Sequence, residues 1–279
     1  MDYALHLAVL VLIWATLGLS QGLISGYLGI LAIHQAAAWG IGAYTAALLN
    51  RLWGLPLGVT LIPGAVVAGS ALFAITALIG RGRRDDQVIA SLCVQVVVVA
   101  LLVNLTSITG GPLGIAGIEW GGPGDQRARV LASLGAAAGL LAATAGLYVL
   151  LSRTRLPREW LVMRDDRAFA ESIGVDAGGA RSLATFLAAA SAGAAGTIFA
   201  HYATFIEPST FGLAESVAIL AIATVGRAPN VGGVLVAALV IVLAPEVLRN
   251  IGLGADVAAN VRQGLFGLLL IVAIFRLRR

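Results

Sequence analysis

The sequence predicts an all-α polytopic integral membrane protein, a single transmembrane domain over 1–279 with about nine transmembrane or membrane-embedded helices. Composition is the first reason. Hydrophobic residues make up 59% and charged residues 11% of the chain, where soluble domains are roughly a quarter charged. Apolar runs near the ~20 residues a bilayer crossing needs recur from end to end, which is the second. Those runs are also continuous, whereas the strands of a membrane β-barrel alternate in polarity.

In chain order the segments run over approximately 3–25, 29–50, 55–80, 87–105, 130–151, 181–204, 213–227, 230–249 and 261–276. The first has no basic n-region and no cleavage site, so it reads as a retained helix and not a signal peptide. The second is rich in Ala and Gly and carries His34 and Gln35 at bilayer depth. The fourth holds the single Cys93, which leaves no disulfide framework or thiolate metal site to expect. Small residues fill Ala188 to Gly196 in the sixth, and Gly40 and Gly42 punctuate the second. Small residues let helix backbones approach closely in lipid, so these predict a tightly packed bundle. The seventh is short for a span and reads as tilted, re-entrant or packed against neighbours.

Arginine placement sets the orientation. Arg81, Arg83 and Arg84 follow the third segment, Arg153–Arg167 the fifth, and Arg276, Arg278 and Arg279 the ninth. Even numbers of crossings separate these clusters, so they share one face, and the positive-inside rule makes it cytoplasmic. The N-terminus then lies outside with 105–129, 203–212 and 249–260, and the C-terminus is cytoplasmic. Arg127, Arg129, Arg249 and Arg262 are scattered exceptions. The net charge of +4 is accounted for by these membrane edges and gives no reason to expect nucleic acid.

The stretch from Arg153 to Arg181 concentrates charge between two apolar blocks. Ionised groups are expensive in a bilayer, so it is expected in water, as a cytoplasmic loop over 153–181. Pro157 stops the preceding helix, and Gly174 ends a short helix at about 159–173 as a C′ glycine would. Trp160, Met163, Arg167 and Ala170 share one face of that helix, and Arg164, Asp165, Asp166 and Glu171 spread over the others. A charge run is more often a plain solvated connection; the two stops favour a helix lying along the membrane surface.

Met163-Arg-Asp-Asp-Arg-Ala-Phe-Ala-Glu-Ser-Ile-Gly-Val175 resembles the cytoplasmic coupling loop of ABC importer permeases of the branched-chain amino acid class, or of the related urea and amide class. Three further stretches, in consistent order, are similar to the same family. Gly40-Ile-Gly-Ala-Tyr-Thr-Ala-Ala-Leu-Leu49 resembles an early helix. Asn104-Leu-Thr-Ser-Ile-Thr-Gly-Gly-Pro-Leu-Gly-Ile115 and His201-Tyr-Ala-Thr-Phe-Ile-Glu-Pro-Ser-Thr-Phe-Gly212 resemble outward loops, and those loops favour the M-type permease of the pair. Set against longer members of that family, the resemblance implies one helix fewer at the N-terminus.

The resemblance implies an ABC importer permease fold in the inner (cytoplasmic) membrane, importing a small polar solute, branched-chain or related amino acids first. It implies that Arg164, Asp165, Asp166, Ala170, Glu171 and Gly174 contact an ATPase subunit. The partners it implies are a second permease, two cytoplasmic ABC ATPases, an extracytoplasmic substrate-binding protein and membrane lipid. ATP and Mg would be bound by the ATPases, with no cofactor in this chain. The departures lie elsewhere. Arg167 stands where the family commonly has an acid. The usual Gln and Ser of the second helix are Ile30 and Ala32, and a glycine-rich turn reads Gly226-Arg-Ala-Pro229.

Polar groups at bilayer depth tend to face a bundle interior or an aqueous path, which makes His34 and Gln35 candidates for the substrate pathway. Packing by a hydrogen-bonded histidine is an equal alternative. Tyr44, in the early-helix stretch, and Glu215, at the start of segment seven, are grouped with them; Glu215 could instead snorkel to the interface. Gly110, Gly111, Pro112, His201 and Glu207 are placed on outer loops near a binding protein, with plain exposed loop residues the commoner outcome. The Thr109–Gly114 run lacks the Lys-Ser/Thr ending of a phosphate loop. No nucleophile–base, carboxylate-pair or metal arrangement argues for catalysis. The rival is a secondary transporter or channel without an ATPase, which would need more ionisable groups in the spans than His34 and Glu215.

Overall fold

The computed structural model describes residues 2–79, 84–120, 126–250 and 264. Its helices are α1 (Asp2–Gly22), α2 (Gln35–Trp53), α3 (Leu57–Ile79), α4 (Arg84–Asn104), the single turn α5 (Thr106–Thr109), α6 (Gln126–Ser152), α7 (Leu156–Asp165), α8 (Arg167–Ser172), α9 (Ala177–Ala203), α10 (Leu213–Val225) and α11 (Val231–Asn250). Two short strands, β1 (Ile115–Ala116) and β2 (Phe205–Ile206), pair antiparallel with Ile115 opposite Ile206. The ninth apolar segment with Arg276, Arg278 and Arg279 lies outside the described residues, as do Arg81, Arg83 and Arg262.

Six stretches among the described residues are long and apolar enough to cross a bilayer: Tyr3–Tyr27, Leu57–Leu78, Asp86–Asn104, Arg127–Ser152, Ala177–Ala203 and Pro208–Val225. The polytopic all-α architecture follows from these. Helix α2 is absent from that set although the sequence marks it as a span, and its surroundings explain why. It is the inner helix, walled by α3 and α9, with Gln35, Trp39, Tyr44 and Asn50 all buried in protein. A helix shielded from lipid has no need of an apolar outer face.

The centre of the bundle is the three-way contact of α2, α3 and α9. Its closeness comes from glycine. A Cβ on Gly42 would sit on the backbone carbonyl of Gly193, one on Gly196 on that of Trp39, and one on Gly64 on the Thr197 hydroxyl. The helices therefore meet backbone to backbone, which is how small residues hold helices together where lipid supplies no hydrophobic drive. Outer faces of α3 and α4 expose Ile62, Val66, Phe73, Val96, Val97 and Leu101, as a lipid-facing surface would.

Two regions depart from the sequence expectation. Segment two was expected to be helical from 29, yet the chain leaves helical geometry after a π-helical turn (Leu23–Tyr27) and resumes only at Gln35. Gly29 takes φ +65°, a left-handed conformation that glycine adopts without Cβ strain. The stretch expected as an outward loop at 203–212 instead folds back into the bundle. Its turn Pro208–Phe211 buries Phe211 completely, with its ring centroid 4.9 Å from that of Trp39 and 6.3 Å from that of Phe199, over the bare backbone of Gly40. That re-entry starts α10 inside the bundle and accounts for its 13 residues.

Candidate functional site

The interruption between α1 and α2 organises the polar interior. An unwound segment frees backbone groups, and buried ones must find other partners. Here they find side chains from across the bundle. The Ile33 N–H donates to Ser91 Oγ (3.0 Å), and Gln21 Nε2 donates to the Ala32 carbonyl (2.9 Å). At the first turn of α2, the Ala36 N–H donates to Ser216 Oγ (3.0 Å) and the Ala37 N–H to Gln95 Oε1 (2.8 Å). Ser216 in turn donates to Gln95 Oε1 (2.9 Å), and Gln95 Nε2 donates to the Phe211 carbonyl (2.7 Å). One glutamine thus holds α2, α10 and the re-entrant turn in register.

His34 is the N-cap residue of α2, and Gln35 is its first helical residue. Both are buried, and they face different surroundings. Gln35 Nε2 donates to Ser20 Oγ (2.7 Å) and to the Ala188 carbonyl (3.1 Å), while its Oε1 meets no protein donor. His34 Nε2 meets no protein partner, and the ring lines a cavity of about 40 Å³ with Ile30, Ala32, Gln87, Ser91 and Arg181. That volume admits roughly one to three waters. Beyond it lies a vestibule of about 600 Å³ whose wall includes Leu28, Ile30, Met163, Asp165, Asp166 and Arg167. Ile30, Gln87 and Arg181 border both chambers, so the small cavity adjoins the vestibule.

The charged loop sits at the vestibule mouth. Instead of one helix over about 159–173, two helices meet at Asp166, whose backbone is extended (φ −145°, ψ 107°). The Asp166 carboxylate accepts from the Phe169 N–H at 3.0 Å, so it caps α8. Pro157 does not stop α6, which has already ended at Ser152; it lies in the first turn of α7, where a proline costs no hydrogen bond. Gly174 has φ +88°, and the Gly174 and Val175 N–H groups return to the carbonyls of Glu171 and Ala170, the two bonds of a Schellman motif. Arg167 donates to Glu171 at 3.0 Å within α8. Asp165, Asp166, Phe169 and Glu171 are exposed, Ala170 is buried, and Arg164 turns inward to donate to the Gly26 carbonyl at 2.8 Å.

At the opposite end the expected outer-loop residues separate. Pro112 is exposed, whereas Gly110 is partly covered and Gly111 is buried under Thr106. The β1–β2 pair ties this loop to the segment carrying Glu207, whose carboxylate accepts from the Ser209 hydroxyl. His201 is not a loop residue. It is buried in the last turn of α9, with Nδ1 2.9 Å from the Glu119 carbonyl and Nε2 2.9 Å from Thr60 Oγ1. A carbonyl only accepts, so Nδ1 carries the proton and Nε2 accepts from Thr60. Asn50 completes the clamp by bonding both the N–H and the carbonyl of Glu119 at 2.9 Å.

Of the residues expected along a pathway, only His34 reaches the cavity. Tyr44 is buried against Phe211, its hydroxyl without a protein partner, and Glu215 is half-buried in the first turn of α10. Gln95, Ser216 and Arg181 were missed. Gln95 and Arg181 each carried a signal, a polar group inside or at the rim of an apolar run.

Residues 3–274 match the family model described as the permease component of branched-chain amino acid transport systems. The chain is 32% identical over 270 residues to the high-affinity branched-chain amino acid transport system permease protein LivM of Escherichia coli (strain K12), covering 88% of this chain and 63% of that relative. It is 31% identical over 273 residues to the protein of the same name from Salmonella typhimurium (strain LT2), covering 88% and 64%. The chain thus spans a little under two thirds of the length of these curated relatives. No solved structure matches it.

Proposed function

We propose, because this chain belongs to the branched-chain amino acid transport system permease family, that it is a multi-pass inner-membrane transport subunit of an ATP-driven importer. Its solute would be a small polar molecule, with branched-chain amino acids the first candidates. The observation that carries this reading is the placement of α7 and α8 at the mouth of a vestibule that adjoins the His34 cavity. A surface helix pair with exposed Asp165, Asp166, Phe169 and Glu171 is suited to a soluble partner, and the partner proposed is an ABC ATPase. A second permease, a second ATPase and an extracytoplasmic binding protein complete the assembly. ATP and Mg belong to the ATPases.

In this reading the α7–α8 end is cytoplasmic, and the β1–β2 end, with Pro112 and Glu207, faces the binding protein. The described fold supports the first half of that. Gln87, three residues after Arg84 at the start of α4, shares the vestibule wall with Asp165 and Arg167, so that end of α4 lies with the α7–α8 loop. Transport proceeds by alternating access. ATP-dependent closure of the ATPases acts on α7 and α8, and the bundle exchanges between states open to opposite sides. Such coupling requires the two states to bind the ATPase differently.

His34 and Gln35, at the start of α2, and Tyr44 further along it are the proposed polar marks of the path, with Glu215 nearer its outer end. Among the described residues no carboxylate lines the His34 cavity, which supports drive by ATP over drive by a protonatable carboxylate. The test is co-purification and uptake. A tagged chain should recover an ATPase, and Asp165→Lys with Glu171→Lys should abolish leucine uptake at unchanged membrane abundance. Uptake intact in that double variant, with no ATPase recovered by the parent, sinks the proposal.

A further inference from the structure

We infer that Arg164 is a positioning residue that ties α7 to the unwound segment between α1 and α2, so that the pair α7–α8 and the wall of the vestibule move together. The inference rests on the importer reading above and changes the part Arg164 plays in it. Resemblance assigns Arg164 to the ATPase contact. The geometry turns it the other way.

The end of a helix leaves carbonyls without intrahelical donors. In a continuous α1 the Gly26 carbonyl would accept from the Ile30 N–H. That N–H is instead directed to Ile24 (3.4 Å), and Arg164 Nη1 donates to Gly26 at 2.8 Å. A guanidinium at a helix C-terminus also meets the negative end of the helix dipole. Its stem lies over Gly29, where a Cβ would stand 2.9 Å from Arg164 Cγ. The left-handed glycine that ends the helix therefore also makes room for the arginine.

A second contact fixes the same face of α7. Trp160 is one turn before Arg164, on the same side of the helix. It is fully buried, its ring centroid 5.8 Å from that of Tyr27, and its Nε1 donates to the Ala180 carbonyl (3.1 Å) in α9. Tyr27 stacks in turn on Tyr148 of α6 at 5.9 Å. The inward face of α7 is thus bonded to the break itself and to the start of α9.

What the break controls makes this tie functional. Leu28 and Ile30 line the vestibule, and Ile30, Ala32 and His34 line the cavity beyond it. All four belong to the seven-residue run that Arg164 anchors at its start. A push on α7 reaches the cavity through one charged hydrogen bond and one tilted aromatic contact. Asp165, Asp166 and the exposed residues of α8 remain for the ATPase.

The test compares the parent permease with Arg164→Ala and Arg164→Lys in the complete importer, reconstituted in liposomes with its ATPases and binding protein. Three quantities are read: ATPase recovered with the tagged permease, ATP hydrolysed, and leucine taken up. Arg164→Ala should recover the parent amount of ATPase and hydrolyse ATP within about twofold of the parent. Leucine carried per ATP should fall at least tenfold, and Arg164→Lys should restore part of it. A purely structural residue would lower the amount of assembled complex and leave the ratio unchanged. Loss of ATPase from the Arg164→Ala complex would place the residue in the interface and overturn the inference. So would an unchanged ratio, or failure of both variants to reach the membrane. If the parent itself recovers no ATPase, the importer reading fails, and this inference with it.

Discussion

Gln95 is the most exposed point of the structural argument to experiment, although it is 1% exposed to solvent. Replacing it with Leu keeps nearly the same volume and removes three hydrogen bonds. Ser216 keeps its bond from Ala36, and its hydroxyl can turn to another acceptor, so it loses little. The Ala37 N–H and the Phe211 carbonyl lose the partners given by Gln95, at 2.8 and 2.7 Å. Each buried group left without a partner costs about 1–3 kcal/mol. Two of them give a destabilisation of about 2–6 kcal/mol, toward the lower end if membrane-protein hydrogen bonds are as weak as the ~0.6 kcal/mol average of double-mutant cycles. At roughly 2–4 °C per kcal/mol for a chain of this class, the apparent melting temperature in detergent should fall by about 4 °C or more. The assay is a thermal scan at fixed rate, since the transition of a membrane protein is commonly irreversible. Ser216→Ala should cost about 1 kcal/mol and be non-additive with Gln95→Leu. A fall below 1 °C for Gln95→Leu, or strict additivity of the pair, would refute the claim that this glutamine joins α2, α10 and the re-entrant turn.

Three further outcomes follow from the geometry. Gly42→Ala places a methyl group on the Gly193 carbonyl, and overpacking of that kind costs about 1–3 kcal/mol; the melting temperature should fall, and Gly196→Ala should couple to it because both part α2 from α9. Arg227 holds φ +52°, which costs an L-residue about 1–2 kcal/mol, so Arg227→Gly should raise the melting temperature, the reverse of the usual effect of a new glycine. His201→Phe keeps a ring beside Trp120 and leaves the Glu119 carbonyl with only the Asn50 bond, so limited proteolysis near 119 should speed up several-fold while uptake persists. Unchanged cleavage would mean that Asn50 alone holds the loop.

The polytopic architecture was legible because apolar length reports the bilayer directly, and that signal is additive along a chain. Gly174 was legible for a similar reason: a helix stop is a local demand, and the two Schellman bonds answer it. Asp166 was not. Nothing in Arg-Asp-Asp-Arg separates a helical aspartate from a capping one until the chain direction is known, and here the second acid takes the cap. His201 was misplaced because its partners, Thr60 and the Glu119 carbonyl, come from two distant stretches, one of them a backbone atom with no sequence identity at all.

The break at 28–34 shows where such reading must stop. Gly29 is a helix-breaking residue, but glycines at 22, 26, 40 and 42 are equally glycine and stay within or beside helix. What separates Gly29 is that its freed neighbours are answered: Ser91 takes the Ile33 N–H, Gln21 reaches Ala32, and Arg164 reaches Gly26. Those donors and acceptors come from α4, α1 and α7, so the unwound segment is stable only in the assembled bundle. Pairing these residues in advance would require the fold itself. The same dependence gives the segment its use, because a stretch held by three separate helices changes shape when any one of them moves.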